Sequence, residues 1–360
     1  MWLRTTRSEV RVLSGSPSAY GADASLCLHR HGNDRGHVTN NRRLGATLIE
    51  VGPVGVGTWQ WGDRKYWRYG QTYNRDDVQA AFGAAYDGGC TLFDSAEIYG
   101  KGESERILGS LAATSHGTIL ASKYAPSPRR WRVRSVDEAI DRSLARLDVD
   151  AIDLYQIHWP FGLIPQQRLA ERLARAVTDG RIRAVGVSNY TARGMEQMHA
   201  RLADLGVPLA SNQVAYSLLR RSPEVNGVIE ACHRLSVALL AYSPLAQGML
   251  TGNYHFHSRP GDGRRWSPRF RDSGLQAASP IVDSLIKISG RRGCTPAQIA
   301  LAWLLRDPLV IPIAGVKNAA QARSNAAAPT VKLEPEDERE LDFKTDKFKR
   351  ASPITRPFIG

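Results

Sequence analysis

Between Leu44 and about Ala328 the chain alternates short apolar, β-branched runs with longer amphipathic stretches, and few folds accept that rhythm. The runs are Val54–Trp59, Thr91–Ala96, Thr118–Lys123, Ile152–His158, Ala184–Ser188, Leu209–Val214, Ala238–Ser243 and Val310–Ala314. Their length and continuous apolarity suit parallel strands buried on both faces. The stretches between them carry a helical period; in Val136–Leu147, for example, Ile140, Leu144 and Leu147 share a face. Ser135 is placed to cap that helix, with Glu138 completing a capping box. Strict β/α alternation predicts a single-domain α/β fold, a closed (β/α)8 TIM barrel. The stretch Arg43–Val51 is expected to form a hairpin over the barrel floor. An open doubly wound sheet is the competing arrangement, but no G-x-G-x-x-G opens a helix after the first run: Gly55 and Gly57 lead to Trp59 and Gln60.

The barrel is assigned to residues 43–332. Residues 1–42 are rich in Arg, Ser, Gly, His and Asn without hydrophobic period, and are expected to be a disordered extension. A translation start near Val38 would account for them. Residues 333–360 begin with an acidic helix, Pro335–Phe343, and end in a tail; whether the helix covers an end of the barrel or hangs free is open. Ala246–Gln276 breaks the rhythm as a long loop, of the kind that serves as a functional lid or a disordered excursion. No window approaches the roughly 18 consecutive apolar residues of a membrane span. The four cysteines are far apart and form no CxxC pair, so no metal site is expected and a reducing, cytoplasmic setting is. The net charge of +13 is scattered; Arg129, Arg130, Arg132 and Arg134 are interrupted by Trp131 and Val133. No nucleic-acid partner is expected from such a surface, whereas a polyanionic cofactor would gain from its field.

In a β/α barrel the chemistry sits at the C-terminal ends of the strands. Those ends, in order, offer Asp94, Tyr99 in the following loop, Lys123 and His158. Alone, each has a bland explanation as cap, solvated charge or packed core. As a set they suit carbonyl reduction. A carbonyl that accepts hydride must receive a proton. A tyrosine supplies it if its pKa, about 10 unperturbed, is drawn towards neutrality by a lysine that an aspartate holds. A neutral histidine can orient the carbonyl oxygen.

Phe93-Asp94-Ser95-Ala96-Glu97-Ile98-Tyr99-Gly100 resembles the signature of the aldo-keto reductases. Leu120-Ala121-Ser122-Lys123, Leu154-Tyr155-Gln156-Ile157-His158-Trp159-Pro160 and Ala184-Val185-Gly186-Val187-Ser188-Asn189-Tyr190 are similar to further segments of that family, in register. The resemblance implies a (β/α)8 barrel with an extended NADPH and no Rossmann unit. It implies Thr58, Trp59 and Asp94 near the nicotinamide, Ser188, Asn189 and Gln213 on its carboxamide, and Tyr242 stacked on its ring. Ser243, Pro244, Leu245 and Gln247 match the pyrophosphate segment, with Arg264 as a clamp from the long loop. Gly315, Lys317, Gln321 and Asn325 match the site of the 2′-phosphate and adenine.

Three positions depart from the family pattern: Asn253 stands where Lys is frequent, Ser324 where Glu is common, and Ala314 in place of a proline. Within the family, Gly57-Thr58-Trp59-Gln60-Trp61-Gly62 and Ile311-Pro312-Ile313-Ala314-Gly315-Val316-Lys317-Asn318 look most like the bacterial and plant-plastid branch that includes pyridoxal reductases. The expected activity is NADPH-dependent reduction of a small aldehyde or ketone, with Trp61, Tyr66, Trp67, Tyr124 and Trp159 as candidate pocket walls. The alternative is an NADPH-holding regulatory subunit with little turnover; His158, where such subunits carry Asn, speaks for the enzyme. The physiological substrate and the oligomeric state are not legible.

Overall fold

The computed structural model describes residues 41–350. The expected extension thus lies almost wholly outside the described residues, as does the end of the tail. A short antiparallel pair, β1 (Arg42–Arg43) and β2 (Glu50–Val51), precedes everything else. Eight parallel strands then close a barrel: β3 (Gly55–Gly57), β4 (Leu92–Asp94), β5 (Ile119–Tyr124), β6 (Ile152–Ile157), β7 (Ile182–Ser188), β8 (Leu209–Ala215), β9 (Ala238–Tyr242) and β10 (Val310–Gly315), which returns to β3. All eight expected runs are strands. The helices are α1 (Arg75–Asp87), α2 (Glu103–Ala112), α3 (Arg134–Leu147), α4 (Gln166–Thr178), α5 (Ala192–Ala203), α6 (Val228–Leu235), α7 (Asp272–Arg292), α8 (Pro296–Leu305), α9 (Ala319–Ala326) and α10 (Pro335–Thr345).

Side chains alternate across a strand, so residues two apart share the barrel interior. Leu92, Ala121, Leu154, Ala238 and Ile311 fill its lower layer, and Leu44 and Val51 of the hairpin pack into the same buried cluster. The hairpin therefore plugs the floor as its sequence suggests. Arg42 fastens it by donating to the carbonyls of Leu305 and Asp307, at 2.7 and 2.8 Å, and of Val310. Two residues further along three of these strands, the same inward face carries Asp94, Lys123 and Gln156. Period two thus stacks a polar layer on an apolar one.

One expectation about elements is overturned and two are sharpened. Ser135 is not a cap: α3 starts at Arg134 without a side-chain cap. The Ser135 hydroxyl lies 3.1 Å from the Tyr124 phenol instead, and Glu138 pairs with Arg134 and Arg142. The long loop is shorter than it looked, because its last five residues already belong to α7 and three 3-10 turns, Ala246–Thr251, Gly263–Trp266 and Pro268–Phe270, punctuate the rest. The helix expected over Pro335–Phe343 is α10, and it lies against α7 and α8. Its Asp337 accepts from Arg291 and Arg292, and its Asp342 from Arg306 and from the Trp303 indole.

Candidate active site

Asp94 ends β4 buried in the barrel mouth, where its carboxylate collects three donors. Lys123 Nζ lies 2.5 Å from Oδ2; Gln156 Nε2 and Gln213 Nε2 lie 2.9 and 3.0 Å from Oδ1. Lys123, at the end of β5, is fully buried and also donates to the Ser95 carbonyl at 2.6 Å. Burial lowers the pKa of its ammonium and Asp94 opposes the shift. Gln156 was missed in the sequence, although it precedes His158 by two residues and therefore faces inward. Its side chain fits because β7 has Gly186 opposite: a Cβ there would stand 2.9 Å from Gln156 Cγ and 2.5 Å from Ser211 Oγ.

Tyr99 follows β4 in a tight turn that sets it beside this group, with Lys123 Nζ 5.2 Å from its ring centroid. His158 follows β6; its ring centroid is 5.7 Å from that of Tyr99, nearly perpendicular at 82°. The four expected catalytic side chains thus share one pocket. Burial pushes the Tyr99 phenol well above its ordinary pKa, with Asp94 and Tyr242 adding to the shift. A buried imidazole beside Lys123 stays neutral, and His158 is held well below its ordinary pKa by burial first and Lys123 second. Its Nδ1 is buried without a hydrogen-bond partner.

Aromatic rings run past this pocket. Tyr66 stacks on Trp59 at 5.1 Å, Trp59 lies 6.1 Å from Tyr99, His158 lies 4.5 Å from Trp159, and Trp159 stacks on Phe161 at 5.3 Å. Of the candidate walls, Tyr66 and Trp159 belong to this series, and Trp67 packs edge-on against Trp59 and Tyr66. Trp61 does not: it is fully buried, donates to the Val316 carbonyl and packs on Phe93. Tyr124 is likewise in the helix-facing core. Thr58 is fully buried, and its hydroxyl is spent on the Asp94 carbonyl and Ser104.

Across the mouth, Ser188 donates to the Gln213 carbonyl, and Asn189 donates to the His158 carbonyl and accepts from the Tyr242 phenol at 3.0 Å. Asn189 needs a left-handed backbone, φ 62°, to do so. After Tyr242 the backbone turns repeatedly into that region at Ser243, Ala246, Gln247 and Gly248, while Pro244 and Leu245 lie between. Such clustered strain is typical of ligand-holding segments.

The expected cofactor channel would continue beyond β10. A Cβ at Gly315 would meet the Gln60 side-chain amide at 2.0 Å, so that side chain lies directly against the glycine. Asn318 caps α9 through the Gln321 amide, the Gln321 side chain accepts from the Lys317 amide, and Asn325 is buried in the same helix. Ser324 faces Thr295 at 3.1 Å, bonding to the start of α8. Arg264, the clamp expected from the long loop, makes its side-chain contacts within that loop. Its guanidinium is buried and bidentate on Asp262, at 2.8 and 2.9 Å, with the remaining arm on the Gln247 carbonyl at 2.8 Å. Lys317 Nζ shares that carboxylate at 3.1 Å. Burial works against the Asp262 charge, but Arg264 and Lys317 hold its carboxyl below the usual range. Asp262 carries no motif; its role exists only once the long loop lies across the mouth.

Buried polar atoms without partners lie along this channel: Gln60 Oε1, and the Trp67 indole nitrogen beneath Lys317 and Arg264, 4.9 and 5.1 Å from its ring. Paired with the basic groups beyond β10, they fit a long ligand, polar throughout and anionic at its outer end. Among the described residues no group of His, Cys, Asp and Glu is arranged to hold a metal, and no helix is long and apolar enough to cross a membrane.

Residues 53–345 match the model of the Aldo/keto reductase family. The chain is 36% identical over 311 residues to the chloroplastic pyridoxal reductase of Arabidopsis thaliana, covering 82% of this chain and 83% of that one. It is 35% identical to an uncharacterized oxidoreductase of Mycobacterium tuberculosis, covering 85% and 92%. Among solved structures it resembles an aldo-keto reductase from Klebsiella pneumoniae in complex with NADPH, with a TM-score of 0.70 and 30% identity over 89% of this chain and 99% of that one. A second Klebsiella pneumoniae structure, with NADP and acetate, gives a TM-score of 0.67 at 31% identity over 85% of this chain and 95% of that one. The chain belongs to the aldo/keto reductase family.

Proposed function

We propose that the protein reduces a small aldehyde or ketone with NADPH, and that Tyr99 delivers the proton. The observation that carries this reading is the meeting of Tyr99, Lys123, Asp94 and neutral His158 in one aromatic-walled pocket. NADPH, when bound, supplies the hydride. Neutral His158 offers a ring nitrogen to the substrate oxygen and holds the carbonyl in line. Tyr99 stays protonated at working pH and gives its proton to that oxygen as negative charge develops; the Lys123 ammonium beside its ring steadies the phenolate left behind. Asp94 positions Lys123, and Gln156 and Gln213 position Asp94. Lys317 receives the 2′-phosphate, Asn189 and Tyr242 the nicotinamide end. Arg264 acts through Asp262 and Gln247 in shaping the loop.

A panel of aldehydes including pyridoxal, methylglyoxal and nitrobenzaldehyde, read as NADPH consumption, tests the reading and ranks substrates. Turnover supports it. Tight NADPH binding with no turnover on any carbonyl would replace it with a regulatory, NADPH-holding role. Lys317→Met is expected to weaken NADPH binding while leaving NADH binding nearly unchanged.

A further inference from the structure

Where the long loop crosses the loop after β3, the surface holds a cleft of about 290 Å³ that the catalytic pocket does not use. Arg64, Lys65 and Arg68 line one side, Arg265 and Trp266 the other. Four cations in one small cleft repel each other, and the nearby acids do not answer them. Asp63 turns its carboxylate to the backbone amides of Tyr66 and Trp67. Asp262 lines the cleft, but its carboxylate is bound by Arg264 and Lys317. Among the described residues, no carboxylate forms an ion pair with Arg64, Lys65, Arg68 or Arg265.

Arg68 is also held with φ 59°, a left-handed backbone that non-glycine residues rarely adopt. The strained conformation accompanies a side chain that donates to the Gly261 carbonyl of the opposite loop. The Gly263 amide donates to the Tyr66 carbonyl at 2.8 Å and the Tyr66 phenol to Gln247 Oε1 at 3.3 Å, joining the same two loops. A ligand with several oxyanion oxygens would bridge the cations on both sides and supply the missing counter-charge. Trp266, 70% exposed with Arg265 stacked 4.8 Å above it, forms an open rim.

We propose that this cleft binds a phosphate-class oxyanion, and that its occupant pins the long loop to the loop after β3. The effect on cofactor release rests on the reading of the channel given above; the binding itself does not. Inorganic phosphate titrated calorimetrically into the NADPH-loaded protein, at constant ionic strength, reads the site while the channel is filled. One equivalent of phosphate should bind and slow NADPH release severalfold. The double variant Arg64→Gln/Arg265→Gln should lose both effects and keep the NADPH affinity measured without phosphate. Phosphate that fails to bind the loaded protein, or binds the double variant equally well, overturns the proposal. If NADPH itself does not bind, the same titration on Lys317→Met isolates the cleft from the channel: binding there upholds the site, and none rejects it.

Discussion

Asp94 accepts from Lys123, Gln156 and Gln213 in a space closed to water, so the cost of its charge is met only while all three donors stay in place. Removing the cation strands a buried carboxylate, which typically costs about 3–5 kcal/mol. Lys123→Met is therefore expected to lower both stability in urea and turnover. His158 adds a pH dependence. Its pKa in the fold lies well below the ordinary value near 6.5, so below that pH the unfolded chain binds a proton that the native chain does not. Stability should fall by about 1.4 kcal/mol per pH unit as pH drops below roughly 6.5, and His158→Gln should remove that slope in melting curves between pH 7 and about 5.5. Asp94, Lys123 and His158 were legible as strand ends, and Tyr99 from the signature after β4. Gln156 was equally available from strand parity. Asp262 was not, because its partners come from segments that meet only in the closed barrel.

At the scale of elements, the strands were legible because continuous β-branched runs leave little choice, whereas the helix start at α3 was not. A serine before an amphipathic stretch looks like a cap, yet the Tyr124 phenol claims Ser135. The long loop was visible only as an interruption. What holds it is close backbone approach: a Cβ at Gly263 would stand 2.6 Å from the Tyr66 ring and 2.9 Å from its carbonyl oxygen. Gly263→Ala is expected to lift the loop without disturbing the barrel. Limited proteolysis should then cut faster between 253 and 270 while the melting temperature stays within a few degrees; unchanged cleavage would mean that the loop is held elsewhere.

For the molecule as a whole, the closed barrel followed from eight alternations, but the place of α10 did not, since its sequence is acidic and only weakly amphipathic. Packing decides it. Buried Arg221 donates to Thr345 and to the Asp342 carbonyl as well as to Glu224, and the Trp303 indole donates to Asp342. A chain ended after Leu333 loses these acceptors from a buried cation and an indole. It is expected to be destabilised by about 2–4 kcal/mol in urea unfolding, with Glu224 retaining part of the Arg221 pairing.

The most direct test of the central claim is to compare NADPH affinity and turnover of the wild type with those of Tyr99→Phe, which removes one hydroxyl and keeps the ring. The account expects unchanged NADPH affinity and a fall in turnover of roughly 10²–10⁴-fold, the share general acid catalysis supplies. Turnover retained by Tyr99→Phe would show that the proton comes from elsewhere and that the pocket has been assigned wrongly.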